Sequence, residues 1–329
     1  MRILVTGASG FVGRTLCPAL VHRGYEVLAG TRGPPPADAR GGSWHSLAAQ
    51  SEHDWGRLLG GCDAVVHLAG LAHRTGDRAM QNAAFYLEVN TDASVRLAAR
   101  AARAGVAHFI FLSTARVNGE GGDVPSRETD APNPSGAYAI SKWRAEQGLA
   151  ETAAATGMAL TILRPPLVYG PGVKGNFLRL LRLVDHGVPL PFAAVSNHRS
   201  FIYAGNLADA IARVIASPQT GAGTFLLSDG DDISTPGLIR RIGAALGKRT
   251  RLFAVPTRLL GLAASVTGQA RQMHQLTGSA PLDMQAIGTT LGWSPPFTMV
   301  DGLRATADWY RAAASAAPNP LSDRPRHPL

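Results

Sequence analysis

The chain has 329 residues, two cysteines and a formal net charge of +9 at neutral pH. This length suffices for one large α/β domain or for a domain with a smaller lobe. The 32 Lys and Arg residues are scattered and do not alternate with aromatic residues, so the sequence does not predict a nucleic-acid partner. We expect this positive charge to form a basic cleft that binds an anionic small molecule.

Membrane insertion, disulfides and metals are not indicated. No apolar run reaches the roughly 18 residues of a membrane span, and glycines interrupt the N-terminal segment where a signal peptide needs an apolar core. The apolar stretch 259–265 predicts a packed helix, with peripheral membrane contact as the alternative. Cys17 and Cys62 lie in apolar sequence without disulfide or metal-site spacing, which predicts buried thiols. We therefore expect a cytoplasmic protein without a metal site.

Short apolar runs alternate with alanine- and leucine-rich segments through the first 165 residues. The runs at 3–5, 27–29, 64–68, 109–112 and 160–163 are unbroken, which indicates strands buried on both faces. Helical segments are predicted near 11–23, 89–104 and 138–155. This alternation is typical of an α/β fold, and it predicts a Rossmann-type, doubly wound parallel sheet that binds NAD(P) over residues 1–165.

The pattern becomes less regular after Arg164-Pro-Pro166, where Gly and Pro residues mark turns. We predict a smaller C-terminal α/β lobe that binds substrate over residues 166–315, with a return to the nucleotide-binding domain near 200–218. Residues 316–329 contain four prolines and little apolar sequence, which predicts a disordered tail.

The segment Thr6-Gly7-Ala8-Ser9-Gly10-Phe11-Val12-Gly13 joins the first predicted strand to a helix. Glycine permits a sharp turn and close approach of a ligand, and the first amides of the helix attract a pyrophosphate. We therefore expect Gly7, Gly10, Phe11, Val12 and Gly13 to contact a dinucleotide. Their spacing, Gly-x-x-Gly-x-x-Gly, differs from the better-known Gly-x-Gly-x-x-Gly fingerprint.

The end of the second strand predicts which dinucleotide is bound. A carboxylate there favours NAD, whereas an arginine accommodates the additional phosphate of NADP. No Asp or Glu lies between Glu26 and Asp38, and Arg32 stands at the strand end. Arg32 therefore favours NADP, and NAD stays open because Arg32 can also be read as a solvated loop charge.

Tyr138 and Lys142 are four residues apart and share one face of a predicted helix. An ammonium close to a phenol, reinforced by a cationic nicotinamide, stabilises the phenolate, so we expect the pKa of Tyr138 to move toward neutrality. Thr114 and Ser113 follow the run at 109–112 and can donate a hydrogen bond to the same substrate oxygen. The arrangement predicts a proton relay opposite a hydride carrier.

With these motifs in order, the chain resembles the extended short-chain dehydrogenases/reductases of the nucleotide-sugar epimerase, dehydratase and reductase group. Further similar segments are Val65-Val-His-Leu-Ala-Gly70, Val89-Asn90, Phe111-Leu-Ser-Thr-Ala-Arg-Val-Asn-Gly119, Leu163-Arg-Pro-Pro-Leu-Val-Tyr-Gly-Pro171 and Arg199-Ser-Phe-Ile-Tyr203. The resemblance implies that Thr114, Tyr138 and Lys142 are catalytic, with Tyr138 as acid and base. Lys142 would also hold the nicotinamide ribose.

The resemblance implies further contacts. Leu68, Ala69 and Gly70 would line the cofactor, and Pro165 would lie near the nicotinamide. Asn176 and Arg199 match positions that contact the nucleotide diphosphate.

Two reactions follow from the resemblance. The leading prediction is an NADPH 4-ketoreductase acting on a UDP-4-keto-6-deoxy-N-acetylhexosamine in surface-polysaccharide biosynthesis. The alternative is a UDP-hexose or UDP-N-acetylhexosamine 4-epimerase that retains NAD. Arg32 favours the reductase, and Leu167 stands where many 4-epimerases carry Asn. A non-catalytic NADP-sensing scaffold is a minor alternative, and a homodimer through two long helices is a family expectation.

Several other side chains receive a prediction. His67, at the end of an apolar run, is expected to be a hydrogen-bonded core residue. His73, Arg74 and Arg116 follow strand ends where substrate should lie, with a solvated loop role as the equal alternative.

Overall fold

The fold comes from a computed structural model that describes residues 1–37, 39–48, 51–71, 83–218, 221–268 and 270–316. The strands are β1 (Arg2–Thr6), β2 (Glu26–Thr31), β3 (Ser43–Ser46), β4 (Ala64–His67), β5 (His108–Leu112), β6 (Ala159–Arg164), β7 (Leu167–Tyr169), β8 (Phe201–Tyr203) and β9 (Gly223–Leu226). The predicted tail beyond Ala316, together with His73 and Arg74, lies outside the described residues.

Helices connect these strands. They are α1 (Phe11–His22), α2 (Glu52–Leu59), α3 (Ala83–Tyr86), α4 (Ala93–Arg103), α5 (Gly136–Thr156), α6 (Gly175–Asp185), α7 (Ala204–Ile215), α8 (Thr235–Leu246), α9 (Thr257–Val266), α10 (Ala270–Thr277), α11 (Gln285–Leu291) and α12 (Met299–Ala316). A π-helical turn, Leu87–Asp92, joins α3 to α4. Among the helices that the structure describes, none has the length and apolar character to cross a bilayer.

The main sheet has seven parallel strands in the order β3-β2-β1-β4-β5-β6-β9. The predicted Rossmann-type sheet is therefore confirmed. The chain passes from β1 to β2 on one side and later to β4 on the other side. A crevice consequently opens between the carboxyl ends of β1 and β4, which is where ligands bind in sheets of this kind.

Apolar residues cover both faces of the sheet. Ile3 and Val5 of β1 pack on one face with residues of α1, α7 and α11. Leu4, which points to the opposite face, packs with residues of α4 and α5. This double burial explains why the strand sequences are unbroken apolar runs and do not alternate with polar residues.

A second, smaller core lies beyond β6. β7 and β8 pair in parallel, and their aromatic residues pack with α6, α8 and α12 around Tyr169, Phe177 and Leu303. After β8 the chain returns to the main sheet, because α7 packs on α1 and β9 pairs with β6. α11 packs in the same core, so parts of the main domain also lie beyond the predicted return near 200–218.

A buried polar cluster connects the two cores. Asp229 accepts hydrogen bonds from the Tyr169 hydroxyl at 2.7 Å and from the Asn206 amide at 2.7 Å. The Asn206 side chain also bonds both the N–H and the carbonyl of Phe297. Asn206 is fully buried and joins Asp229 of the smaller core to the backbone of Phe297.

We expect Asn206→Ala to lower the free energy of unfolding by about 1–3 kcal/mol, because it removes the partner of the Phe297 N–H and carbonyl and one of the three hydrogen bonds to Asp229. Urea denaturation measures this change. Asn176→Ala, at an exposed position of α6, is the control and should leave the urea midpoint nearly unchanged. Equal midpoints for the two variants would contradict this role of Asn206.

Candidate active site

The turn after β1 is shaped by glycine. Gly7 has a φ of +72°, and a Cβ on it would lie 2.8 Å from the Ala69 backbone nitrogen. A Cβ on Gly13 would lie 2.5 Å from the Gly7 carbonyl oxygen. These glycines allow the turn to pack directly against the segment that leaves β4. The two strand ends therefore form one continuous backbone surface at the crevice.

The first turn of α1 faces this crevice without a side-chain cap. Gly10 is the N-cap residue, and the first intrahelical bond joins the Arg14 amide to the Gly10 carbonyl at 3.0 Å. The amides of Phe11, Val12 and Gly13 precede that bond and have no helical acceptor. Such a helix end attracts a phosphate group. The cradle of glycines and amides therefore fits a dinucleotide pyrophosphate.

The segment that leaves β4 is held by Asn90 in the π-helical turn. The buried Asn90 side chain accepts from the Leu71 amide at 2.7 Å and donates to the Leu71 carbonyl at 3.1 Å. It also donates to the Ser141 hydroxyl of α5 at 3.0 Å. A Cβ on Gly70 would lie 3.1 Å from Lys142 Nζ. The loop after β4 and the lysine of α5 are thus in close contact.

Tyr138, Lys142 and Glu146 recur at four-residue intervals along α5, with Lys142 and Glu146 buried against the sheet. The Tyr138 hydroxyl is hydrogen-bonded to Thr114, which follows β5. Lys142 Nζ donates to the Leu112 carbonyl at 2.8 Å and lies 4.4 Å from the centre of the Phe111 ring. The structure thereby brings Thr114, Tyr138 and Lys142 to one edge of the sheet.

Two opposing effects act on the tyrosine. Burial raises the pKa of Tyr138, while the hydrogen bond with Thr114 and the charge of Arg116 lower it. Burial is the largest cause, so the pKa of Tyr138 lies above its usual value. For the protein by itself, desolvation of the phenolate outweighs the nearby positive charge, and the Tyr138 hydroxyl keeps its proton at neutral pH. The predicted shift toward neutrality includes the charge of a nicotinamide and stays a prediction.

The lysine is strongly affected by its surroundings. Burial lowers the pKa of Lys142 to about 8, and the Glu146 carboxylate partly opposes this shift. Most of the Lys142 population consequently carries a charge at neutral pH.

His67, behind this site, bonds Thr6 at 2.6 Å and Ser94 at 2.8 Å, and burial lowers its pKa to about 3. His67 is thus a neutral, hydrogen-bonded core residue.

A buried ion pair lies behind the proposed relay. Glu146 and Arg164 are 2% and 4% exposed, and their side chains meet at 2.5 Å and 3.1 Å. Arg164 also donates to Asn118 at 3.0 Å. The Ser113 hydroxyl donates to Glu146. Ser113 therefore serves this interior network, which differs from the predicted contact with substrate.

The remaining predicted residues are Pro165, Arg199, Arg32 and Asn176. The buried Pro165 accepts a hydrogen bond from the Ala115 amide at 2.8 Å, which joins the ends of β5 and β6. Arg199 is partly buried, and its guanidinium donates to the Gly278 carbonyl at 2.8 Å. Burial and the charge of Arg116 both lower the pKa of Arg199, so the two guanidinium groups face the same region. Arg32, just after β2, and Asn176 are exposed.

Sequence reasoning assigned no role to Glu146, Arg164 or Asn90. One signal was available for the first two, because Lys142-x-x-x-Glu146 repeats the spacing of Tyr138 and Lys142, and Arg164 ends an otherwise apolar strand. Charged residues in such apolar positions are buried only when they are paired. The π-helical turn that directs Asn90 inward had no signal in the sequence pattern.

Comparisons with known proteins agree with this geometry. Residues 3–227 match the model of the NAD dependent epimerase/dehydratase family. A UDP-glucose 4-epimerase of Vibrio cholerae is 38% identical over 315 residues, which cover 94% of this chain and 96% of that protein. An N-acetyl-alpha-D-glucosaminyl-diphospho-ditrans,octacis-undecaprenol 4-epimerase of Escherichia coli O157:H7 is 26% identical over 93% of this chain and 94% of its own length.

A solved structure shows the same fold. The UDP-N-acetylglucosamine 4-epimerase from Bacillus cereus superposes with a TM-score of 0.76 at 20% identity, over 94% of this chain and 99% of that chain. The fold and the Tyr-Lys site define an enzyme of the extended short-chain dehydrogenase/reductase type. The chain belongs to the NAD dependent epimerase/dehydratase family.

We expect Arg164→Met to lower the free energy of unfolding by about 3–5 kcal/mol, because it leaves the Glu146 carboxylate buried without a partner. The double variant Glu146→Gln/Arg164→Met should recover most of this loss, since it removes both charges. Urea denaturation of both variants measures the effect.

Arg304→Met is the control for that experiment, because Arg304 pairs with Asp301 at an exposed position of α12. It should leave the unfolding midpoint nearly unchanged. A double variant no more stable than Arg164→Met would contradict the assignment of the penalty to the unpaired carboxylate.

Proposed function

We propose that the protein is a 4-epimerase of a hexose attached through a diphosphate, with a UDP-hexose as substrate and NAD as cofactor. One observation carries this proposal: the assembled Thr114, Tyr138 and Lys142 site occurs in a chain that is 38% identical, almost end to end, to a UDP-glucose 4-epimerase. The epimerase, which the sequence ranked second, is thereby favoured over the ketoreductase.

The proposed roles follow from the positions of the side chains. Bound NAD would serve first as acceptor and then as donor of the C4 hydride, and the keto sugar would turn over between the two transfers so that the hydride returns to the opposite face of C4. Tyr138, ionised with the help of the positive charge of the nicotinamide, would accept the proton of the C4 hydroxyl in the first half of the reaction and give it back in the second half. Thr114, already hydrogen-bonded to Tyr138, would hold the same oxygen.

The cofactor residues are those at the crevice. The amides of Phe11, Val12 and Gly13 would bind the pyrophosphate, and the glycine turn leaves room for its approach. Leu68, Ala69 and Gly70 would line the nicotinamide side with Pro165. Lys142 would hold the ribose, since the Leu112 carbonyl takes only one of its three N–H groups.

A negatively charged substrate would account for the two arginines, Arg116 and Arg199, that face the same region. Arg116 and Arg199 repel each other, and a diphosphate between them would relieve that repulsion. Arginine is suited to this contact because its planar donors match phosphate oxygens. Asn176, at the first turn of α6, would complete the diphosphate contacts.

A second candidate is the NADPH 4-ketoreductase. Arg32 favours it, because this exposed cation follows β2 where no carboxylate is present to hold the ribose of NAD. The two reactions differ in their use of cofactor, since a reductase consumes one NADPH per product and an epimerase consumes none.

The purified enzyme with NAD⁺ should interconvert UDP-glucose and UDP-galactose, as measured by chromatography of the sugar nucleotides. Tyr138→Phe should lower turnover by about 10²–10⁴-fold while NAD binding persists, because only the proton-transfer group is removed. UDP-N-acetylglucosamine is the parallel substrate. Stoichiometric loss of NADPH absorbance with a UDP-4-keto-6-deoxy sugar, and no interconversion, would favour the reductase instead.

We also predict the effect of Glu146 on pH dependence. Charged Lys142 is lost as the pH rises through its pKa of about 8, so activity should decline on that limb. Glu146 raises the pKa of Lys142, and Glu146→Gln should therefore shift this decline to lower pH. The measurement is kcat/KM against pH for both proteins. A limb that stays in place, or moves to higher pH, would contradict the coupling.

A further inference from the structure

The positive charge of the chain is concentrated in one segment. Residues 233–282 contain seven Lys and Arg residues and no Asp or Glu. The rest of the chain is close to balanced, with 25 basic and 23 acidic residues, so this segment supplies most of the net charge of +9. The segment begins after Asp232 and contains α8, α9 and α10.

Large apolar side chains are exposed in the same segment. Leu259 and Leu262 of α9 are 56% and 64% exposed, and Phe253, which precedes the helix, is 48% exposed. Leu260 and Ala264, on the other side of α9, are buried. The helix is therefore apolar on its packed side and also on its outer side. A solvated helix normally carries polar residues on the outer side.

Basic residues flank these apolar side chains in the sequence. Arg249, Arg251 and Arg258 are exposed, and no carboxylate among the described residues pairs with them. We call Arg249, Arg251, Phe253, Arg258, Leu259 and Leu262 the basic apolar surface. Apolar side chains that enter a lipid interface, with arginines that meet anionic headgroups, form the chemistry of peripheral membrane binding.

We propose that the basic apolar surface docks the enzyme on an anionic lipid bilayer. Charge complementarity selects this occupant over a second copy of the chain. A two-fold contact would place the same patch against itself and bring like charges together with no acid to compensate them. The proposal goes beyond the proposed reaction and does not depend on it.

The surface is connected to the site. α10 ends at Thr277, and the next residue, Gly278, accepts the hydrogen bond from Arg199. Asn197, beside Arg199 in sequence, donates to the same carbonyl at 2.9 Å. Helices α9 and α10 pack together, and α9 carries Arg258, Leu259 and Leu262 of the basic apolar surface. The chain therefore leads from this helix pair directly to the carbonyl that bonds Arg199.

Vesicle cosedimentation tests the proposal. The full chain should bind phosphatidylcholine–phosphatidylglycerol vesicles and bind phosphatidylcholine vesicles far more weakly. Leu262→Glu should weaken binding by about tenfold or more, and Leu259→Glu/Leu262→Glu should abolish it, because a charge replaces an inserted apolar group. Val21→Glu makes the same change at a position of α1 that is 41% exposed, and it should bind like wild type.

The arginines receive a separate test. Arg249→Gln/Arg251→Gln/Arg258→Gln should reduce binding at low salt, where charge attraction is least screened. Each variant should retain the wild-type unfolding midpoint and its turnover of a soluble sugar nucleotide, which separates docking from folding and from the reaction.

Three results would overturn the proposal. The first is wild-type protein that stays in the supernatant with anionic vesicles. The second is a Leu259→Glu/Leu262→Glu variant that binds anionic vesicles as well as wild type does. That result would indicate a general attraction to polyanions. The third is a wild-type dimer that this double variant dissociates, without vesicle binding, which would place a second copy on the surface.

Discussion

The active edge of the sheet depends on one buried carboxylate. Glu146 has three cationic or hydrogen-bonding neighbours: Arg164 at the end of β6, Ser113 just after β5, and Lys142 one turn earlier on α5. Removing such a group from water is costly unless each of its oxygens is compensated, so the surrounding positions are closely constrained. The consequence is a fixed relation between α5 and the strand ends that carry Thr114. A lysine buried at this point can then remain charged near neutral pH.

Much of this arrangement could be predicted because it depends on residues that are close together in the sequence. Unbroken apolar runs identified β1, β4 and β5, and the glycine turn located the crevice. The pairing of Ser113 with Glu146 could not be predicted, since it joins positions 33 residues apart whose approach depends on the packing of α5 on the sheet. The direction of the pKa shift of Tyr138 in the protein by itself could not be predicted for the same reason. A spacing shows that Lys142 is near, but it does not show how much water the folded chain removes.

The two functional surfaces proposed for this chain use charge differently. At the crevice, Arg116 and Arg199 are partly buried, and their mutual repulsion is strengthened by weak solvation. At the basic apolar surface, the arginines are exposed, so salt screens them and each contributes little alone. The first arrangement suits recognition of one small diphosphate, whereas the second suits a large and uniformly charged surface. Gly278, which accepts a hydrogen bond from Arg199, directly follows α10 in the chain.

We propose that this site oxidises sugar C4 and then reduces it again without exchange of the hydride with water. Mass spectrometry of UDP-galactose formed from UDP-glucose that carries deuterium at C4 tests this hydride transfer. The label should stay in the product, because the hydride taken from C4 returns to C4, and Tyr138→Phe should form almost no labelled product. A product that has lost its deuterium, or wild-type turnover by Tyr138→Phe, would contradict this mechanism.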